Sequence, residues 1–242
     1  MDNVLLIILI SMLGPVIGSA VGVLKYPSRK FMMAMLSFAA GVMLSVSFLY
    51  LIPESIKFSS IWICCFGVVA GCLAIFAVDK IIHHMHRRHV KPENTPKMKK
   101  AAIYLLIGIF MHNFPEGMAM AVGVVPGIKM SLAVAIAITI HNIPEGVCTS
   151  SPYYYYTKKR LRSFLISVST ALPEIIGFLF AYYLYSFLPV NTIGFLLAAT
   201  AGIMVYISAD ELIPLSCSDD TSHYAIFSLI AGVILVLMLG LL

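Results

Sequence analysis

Residues 101–124 read AAIYLLIGIFMHNFPEGMAMAVGV, and residues 130–151 read MSLAVAIAITIHNIPEGVCTSS. Each stretch is apolar enough to cross a bilayer, whose hydrocarbon core needs about 20 apolar residues per helix. Each also carries the pattern His-Asn-X-Pro-Glu-Gly inside the apolar run. Polar residues at matched positions of two neighbouring apolar helices predict a buried polar site inside a membrane protein.

The composition of the whole chain agrees with a lipid environment. Of its 242 residues, 60% are apolar and only 11% are charged, whereas soluble proteins have about 45–50% apolar and about 25% charged residues. This excludes a water-soluble domain, a disordered chain and a disulfide scaffold. The five cysteines form no CxxC pair and are interpreted as small apolar residues of packed helices.

Eight apolar runs predict an all-α fold, a polytopic membrane protein with eight transmembrane helices in one transporter domain over residues 1–242. The first run has no basic residue before it and is interpreted as a retained span, not a cleaved signal peptide. The predicted spans are 4–24, 31–53, 59–79, 101–124, 130–151, 163–187, 191–214 and 223–242.

The basic residues predict the orientation of these spans. Fourteen of the 16 Lys and Arg residues lie in the loops after spans one, three and five. Basic loops stay in the cytoplasm, so both termini are expected outside, although the loop after span seven has no basic residue. The loop 80–100, KIIHHMHRRHVKPENTPKMKK, is thus a predicted cytoplasmic His-rich basic segment, and Tyr153 to Tyr156 fit an aromatic belt at the membrane interface.

A second internal match relates spans two and seven. Ala40 to Pro53 reads AGVMLSVSFLYLIP, and Ala201 to Pro214 reads AGIMVYISADELIP. Because the two spans are predicted to run in opposite directions, they indicate inverted repeats, with spans 1–3 related to spans 6–8 and span 4 to span 5. A chance match between small-residue apolar helices is the alternative for this pair.

The carboxylates Glu116, Glu145 and Glu174 fall inside predicted spans, where an unpaired acid costs about 2.5–3.5 kcal/mol. No Lys or Arg lies in those spans, so protons or a bound cation must neutralise them. His112 is four residues before Glu116, and His141 is four before Glu145, so each pair shares one helix face. With Asn113 and Asn142 beside them, these groups suit Zn²⁺, Fe²⁺, Mn²⁺ or Co²⁺.

The prolines of the two motifs supply a second device. Pro115 and Pro144 lack an N–H, so the carbonyls four residues earlier lose their helical partners. Irregular backbone at membrane depth is tolerated where it is buried in protein or lines a cavity. The freed carbonyls can therefore help to stabilise a cation, and the glycines that follow allow close helix approach.

These motifs resemble those of the ZIP (Zrt/Irt-like protein) family of divalent metal transporters, in its prokaryotic-type branch. The resemblance covers most of the chain, and Ala39 to Ser55 and Ala201 to Pro214 are similar to family signatures. It implies zinc uptake across the cell membrane, with Fe²⁺, Mn²⁺ or Cd²⁺ as other substrates, and a dimer is plausible for the family. Carried over by position, it implies that the transported metal is held by His112, Asn113, Glu116, His141, Asn142, Glu145 and Glu174.

This chain departs from the family pattern in two places. Some members that hold two metals have Asp where this chain has Asn142, so the number of metals here stays open. The family usually has Glu-Pro in span six, whereas here the proline precedes Glu174. Further residues are hypotheses for the transport pathway: Met43 as a thioether in span two, Glu54 at the entrance, and Asp79, His84, Asp210 and Glu211 as a release relay.

The sequence therefore predicts a permease that moves a divalent metal from outside to the cytoplasm by alternating access. It has no nucleotide-binding motif and is not expected to bind nucleic acid. A metal-permeable channel is the main alternative. An intramembrane metalloprotease would need HExxH, which HNxPE does not provide, so no enzyme is expected. A purely structural membrane protein would bury His and Glu residues at an energetic cost without giving them a function.

Overall fold

The computed structural model describes residues 2–24, 28–87, 113–118, 120–121, 131–185, 187–217 and 222–239. Within these ranges every regular element is helical, which confirms the predicted all-α class. Its α-helices are α1 (Asp2–Leu24), α2 (Arg29–Val46), α3 (Ile52–Phe58), α4 (Ile61–Arg87), α5 (helical over 113–118 and 120–121), α6 (Ser131–Thr157), α7 (Arg160–Ser169), α8 (Leu172–Tyr185), α9 (Val190–Ile207), α10 (Ile213–Ser216) and α11 (Ser222–Leu239).

The described part of the chain contains five stretches long and apolar enough to cross a membrane. They correspond to the predicted spans one, two, three, six and seven, and α11 adds a shorter apolar stretch over His223–Leu239. Large apolar side chains cover the outside of the helices, such as Trp62, which is 81% exposed. Such a surface requires lipid as its solvent, so the protein is a multi-pass membrane protein.

The helices pack in two groups. In the first group, α1 packs along α6 and α7, and α5 contacts α8. In the second group, α2 packs along α11, and α9 packs along α3 and α4. The main contact between the groups is that of α2 with α6. The helices α5, α6 and α8, which carry Glu116, Glu145 and Glu174, thus all belong to the first group.

Glycines bring α1 directly against the backbone of α6. Gly14, Gly18 and Gly22 are four residues apart and share one face of α1. A Cβ added at Gly14 would lie 2.1 Å from the Thr139 carbonyl oxygen, and one at Gly18 would lie 2.0 Å from that of Ile143. Small residues allow this close approach of membrane helices, and it fixes the part of α6 that carries the polar motif.

Two π-helical turns occur at matched positions of the internal repeat. Ser47–Leu51 joins α2 to α3, and Ser208–Leu212 joins α9 to α10. Each is followed by Ile-Pro, and a proline cannot donate to the carbonyl four residues earlier. The preceding isoleucine instead donates its N–H five residues back, to the Ser47 or Ser208 carbonyl. This pattern accommodates the proline without ending the helix.

Buried serines follow both π turns and bond to a helix of the other repeat. Ser55, two residues after the first Ile-Pro, donates its hydroxyl to the Gly194 carbonyl at 2.7 Å. Ser216, two residues after the second, accepts a hydrogen bond from the Ser37 hydroxyl at 2.7 Å. The likeness of the two segments therefore extends into their contacts.

The predicted span six crosses as one stretch but is not one continuous helix. It is interrupted at Thr170 and Ala171, between α7 and α8. Pro173 lacks the N–H that a continuous helix would need. The Asn113 side chain donates to the Thr170 carbonyl at 2.7 Å and so satisfies backbone that the break leaves free. Glu174 consequently lies in the first turn of a new helix.

Candidate metal centre

Three acidic and imidazole side chains converge between α5 and α6. One ligand atom from each of Glu116, His141 and Glu145 lies within 4.8 Å of the other two. Glu116 and His141 are fully buried, and Glu145 is 4% exposed. A buried imidazole with two carboxylates is a ligand set that suits Zn²⁺ and other borderline divalent metals.

The hydrogen bonds of His141 orient its ring toward the two acids. Its Nδ1 lies 3.3 Å from the Ala137 carbonyl, and since a carbonyl only accepts, Nδ1 carries the proton in this contact. Nε2 lies 3.1 Å from Glu116 Oε1 and 3.8 Å from Glu145 Oε1. In the neutral ring, Nε2 directs a lone pair at these oxygens, an arrangement that a cation between them would stabilise.

Two asparagines and a third glutamate extend this polar cluster. Asn142 donates its side-chain amide to Glu174 Oε2 at 2.9 Å, while the amide of Asn113 is used by the Thr170 carbonyl. Four buried oxygens in the described part have no hydrogen-bond partner: Asn113 Oδ1, Glu116 Oε2, Asn142 Oδ1 and Glu174 Oε1. All four are acceptors, and buried acceptors without a donor are costly. The cluster therefore needs further hydrogen-bond donors or a bound cation.

No described buried residue supplies that charge as Lys or Arg. Among the described residues, the acids Glu116, Glu145 and Glu174 therefore have only the buried imidazole of His141 beside them as a group that can carry positive charge. Unpaired carboxylates in an apolar interior are strongly unfavourable, so a bound dication matches the charge of the cluster as well as its donor atoms.

Backbone contact between α5 and α8 holds the third glutamate next to the others. A Cβ at Gly117 would lie 1.8 Å from the Glu174 carbonyl oxygen, and one at Gly177 would lie 2.1 Å from that of Phe114. Only glycine permits this approach on both sides. It places the backbone of Glu174 beside the residue that follows Glu116, and so brings the acid of α8 to the cluster on α5 and α6.

Of the seven residues proposed from the resemblance, the structure brings together Glu116, His141 and Glu145, and it joins Asn142 to Glu174. Asn113, three residues before Glu116, donates to the Thr170 carbonyl. His112, the seventh, lies outside the described residues. Met43 is fully buried in an apolar cluster that also includes Met204 of α9.

The outlying pathway residues are distributed over other helices. Glu54 is 9% exposed and lies 2.5 Å from the Lys57 ammonium, so a cation already accompanies this carboxylate. Asp210 is exposed within the second π turn. Asp79 and His84 belong to α4 and Glu211 to the second π turn, but their side chains lie outside the described part.

A cluster of hydroxyl side chains beside the candidate centre was not predicted from the sequence. Ser19 of α1 donates to Ser167 of α7 at 2.7 Å, and Thr149 of α6 is hydrogen-bonded to the same hydroxyl. Ser167 donates to the Gly146 carbonyl at 3.2 Å, and Thr149 to that of Glu145 at 2.9 Å. These bonds join three helices of the first group; the available signal was the run of small hydroxyl residues after the second HNxPEG motif.

Known proteins are similar to this chain over most of its length. A model of the family described as ZIP Zinc transporter matches residues 3–102 and 89–240. A protein named Zinc transporter ZupT from Chlorobium luteolum is 35% identical over 247 residues, which cover 94% of this chain and 93% of that protein. Proteins of the same name from Enterobacter sp. and Escherichia coli are 34% identical over 224 residues, covering 89% of this chain and 87% of theirs. A family match over nearly the whole chain, on a helical membrane protein with a buried His and Glu cluster, shows that the chain belongs to the ZIP zinc transporter family.

Proposed function

We propose that this protein imports a divalent metal, with Zn²⁺ as its main substrate, across the cell membrane into the cytoplasm. The observation that carries the proposal is the convergence of Glu116, His141 and Glu145 within 4.8 Å, buried and without a buried Lys or Arg among the described residues. Asn113, Asn142 and Glu174 complete the proposed transport site, together with His112 from the motif. The relatives named as zinc transporters support zinc as the substrate.

The imidazole and carboxylate ligands of the proposed site are also compatible with other divalent metals. Imidazole and carboxylate also bind Fe²⁺, Mn²⁺ and Cd²⁺, and no cysteine thiolate belongs to the cluster. We therefore expect these metals to compete with zinc for the same site. Their order of preference follows from competition measurements with each ion in excess over labelled zinc.

Alternating access is supported by the division of the helices. The proposed site lies on α5, α6 and α8 of the first group, while α2, α4, α9 and α11 form the second. Because α1 packs with α6 and α7, the packing groups mix the two sequence repeats. We infer that the first group moves as a unit against the second at the α2–α6 contact, and so exposes the metal to each side in turn.

The cytoplasmic side of this pathway is proposed to use the segment 80–100 and the acids near it. Predicted as a loop, this segment begins as a continuation of α4, which extends to Arg87. Metal would pass from the centre by way of Asp79, His84, Asp210 and Glu211, with Glu54 at the opposite entrance. Basic loops favour the cytoplasm, which supports external termini and an inward direction. Substituting His83, His84, His86 and His89 together tests the loop, and unchanged metal uptake and metal sensing would contradict a role for it.

The proposal is tested by uptake of radiolabelled zinc into proteoliposomes that contain the purified protein. His141→Ala and Glu145→Gln remove one ligand each and are expected to abolish saturable uptake. Cys148→Ala is the matched control, since this thiol is buried on the same helix but is not in the ligand cluster. Wild-type uptake by both ligand variants would overturn the proposed site.

The same vesicles separate a carrier from a channel. A carrier must return its site across the membrane, so unlabelled zinc on the far side is expected to accelerate entry of labelled zinc. Flux that does not saturate and is not stimulated from the far side would indicate a pore and contradict alternating access.

A further inference from the structure

The turn between α6 and α7 presents a compact group of cations that the metal site does not use. Lys158, Lys159, Arg160 and Arg162 are all exposed. The sequence between Glu145 and Glu174 contains no acidic residue, so the chain around Lys159, Arg160 and Arg162 carries only positive charge. The patch is therefore strongly positive and directed outward.

The turn has a defined shape. Lys158 adopts a positive φ of 55°, and its N–H donates to the Tyr154 carbonyl at 2.8 Å. Across the turn, the hydroxyls of Thr157 and Ser163 are 3.2 Å apart. These contacts define the backbone of the turn, so the cations project from neighbouring positions of an ordered segment.

An apolar wall lies next to the charges. A shallow, open surface at the start of α7 is formed by Lys159, Arg160, Leu161, Arg162, Leu165 and Ile166. Leu161 is 69% exposed and Leu165 is 56% exposed. Exposed cations beside exposed leucines, at the end of membrane-crossing helices, complement the two parts of a phospholipid: the anionic headgroup and the acyl chain.

We propose that this surface of α7 binds an anionic phospholipid, with the phosphate at Lys159, Arg160 and Arg162 and the upper acyl chain against Leu161 and Leu165. Arg160 also lies 5.9 Å from the centre of the Tyr154 ring, which holds its guanidinium near the interface. An acidic peptide or nucleic acid would use the cations but not the leucines. The bound lipid would stabilise α7, whose Ser167 joins α1 and α6.

The test measures lipid binding without any metal. The full-length protein in a neutral detergent is heated with phosphatidylglycerol or with phosphatidylcholine, and the melting temperature is recorded. We expect phosphatidylglycerol to raise Tm and phosphatidylcholine to leave it unchanged. Because each basic residue near a surface contributes about a fivefold gain in binding to anionic lipid, Lys159→Gln with Arg160→Gln and Arg162→Gln should weaken binding about a hundredfold.

Three further samples keep the result interpretable. Lys30→Gln is the matched control, because Lys30 is an exposed cation 5.9 Å from an aromatic ring, that of Tyr224, and it should keep the full shift. Leu161→Gln should weaken lipid binding with all charges intact. If the triple variant fails to fold, a variant that exchanges Lys for Arg and Arg for Lys at the same three positions should retain the shift.

The proposal is overturned if phosphatidylcholine or inorganic phosphate alone gives the same rise in Tm, or if the triple variant responds as the wild type does. Loss of the shift in Lys30→Gln would also overturn it, since that would indicate a general surface-charge effect. Because zinc is absent throughout, failure here leaves the metal-transport proposal to its own test.

Discussion

Substituting Gly117 by alanine tests whether the α5–α8 contact sets the geometry of the metal centre. The new Cβ would lie 1.8 Å from the Glu174 carbonyl oxygen and 2.8 Å from the Phe178 amide nitrogen. A carbon needs about 3.3 Å from a carbonyl oxygen, so α5 and α8 would have to separate by about 1.5 Å. Both nearby atoms belong to backbone and cannot move aside by a change of rotamer.

This displacement is large for a ligand cluster. The Asn142 amide is 2.9 Å from Glu174 Oε2, and moving α8 by that distance breaks the hydrogen bond. Metal–ligand distances tolerate only about 0.2 Å, and disturbing the groups that orient ligands costs about 10–100-fold in affinity. We expect Gly117→Ala to lose zinc affinity within that range, measured by competition with a zinc-binding dye in detergent and by initial uptake rates.

Gly71→Ala supplies the comparison for this experiment. A Cβ there would lie 2.0 Å from the Ala199 carbonyl, a clash of similar severity in the second helix group. It should lower the melting temperature while the folded protein keeps wild-type zinc affinity. Wild-type affinity in Gly117→Ala, or an equal loss in both variants, would refute the assignment of the α5–α8 contact to the metal centre.

Three other predictions concern the same helices. Imidazole and carboxylate bind zinc only when deprotonated, so zinc uptake should fall as the pH is lowered from about 8 to about 5.5. An uptake rate that does not change over this range would contradict a His and Glu site. Ser167→Ala should lower the free energy of unfolding by about 1 kcal/mol in detergent melts, whereas Ser169→Ala, whose exposed hydroxyl bonds only to its own helix, should not. Asn142→Asp replaces the amide that donates to Glu174 by a negative charge next to that carboxylate. The metal-free variant should therefore melt at a lower temperature than the metal-free wild type, and zinc should raise its Tm by more. An unchanged Tm of the metal-free variant would contradict this prediction.

Much of the architecture could be predicted because hydropathy alone dictates which stretches can lie in lipid. The all-α class and the family were predicted on this basis and from the repeated motif, and the helical structure and the family match confirmed them. The interruption of span six could not be predicted from a hydropathy average, since Thr170 and Ala171 are compatible with an apolar helix. The proline at 173 was visible, but its effect depends on Asn113, which supplies a hydrogen bond from another helix.

The candidate centre was predictable to the extent that helix periodicity places His141 and Glu145 on one face. Its finer geometry depends on contacts between helices far apart in sequence, such as that of Gly117 with Glu174. The four-residue spacing of Gly14, Gly18 and Gly22 indicates close helix packing, and this contact could have been predicted from the sequence. The pathway roles of Asp79, His84, Glu54, Asp210 and Glu211 remain predictions.

Each π turn lets its helix carry one residue more without losing its angular phase. An α-helix advances about 100° per residue, but a turn closed by an N–H five residues back is wider and absorbs most of that rotation. The Ser55 hydroxyl therefore still meets the Gly194 carbonyl, and Ser216 still meets Ser37. Deleting one residue from Ser47–Leu51 or from Ser208–Leu212 would leave these contacts close to their present direction, but it would bring the proline that follows into an ordinary α-helical turn, where its ring clashes with the carbonyl four residues earlier. The surplus residue in each turn is thus what allows the helix to continue through a proline, and its deletion should destabilise the protein more than its substitution.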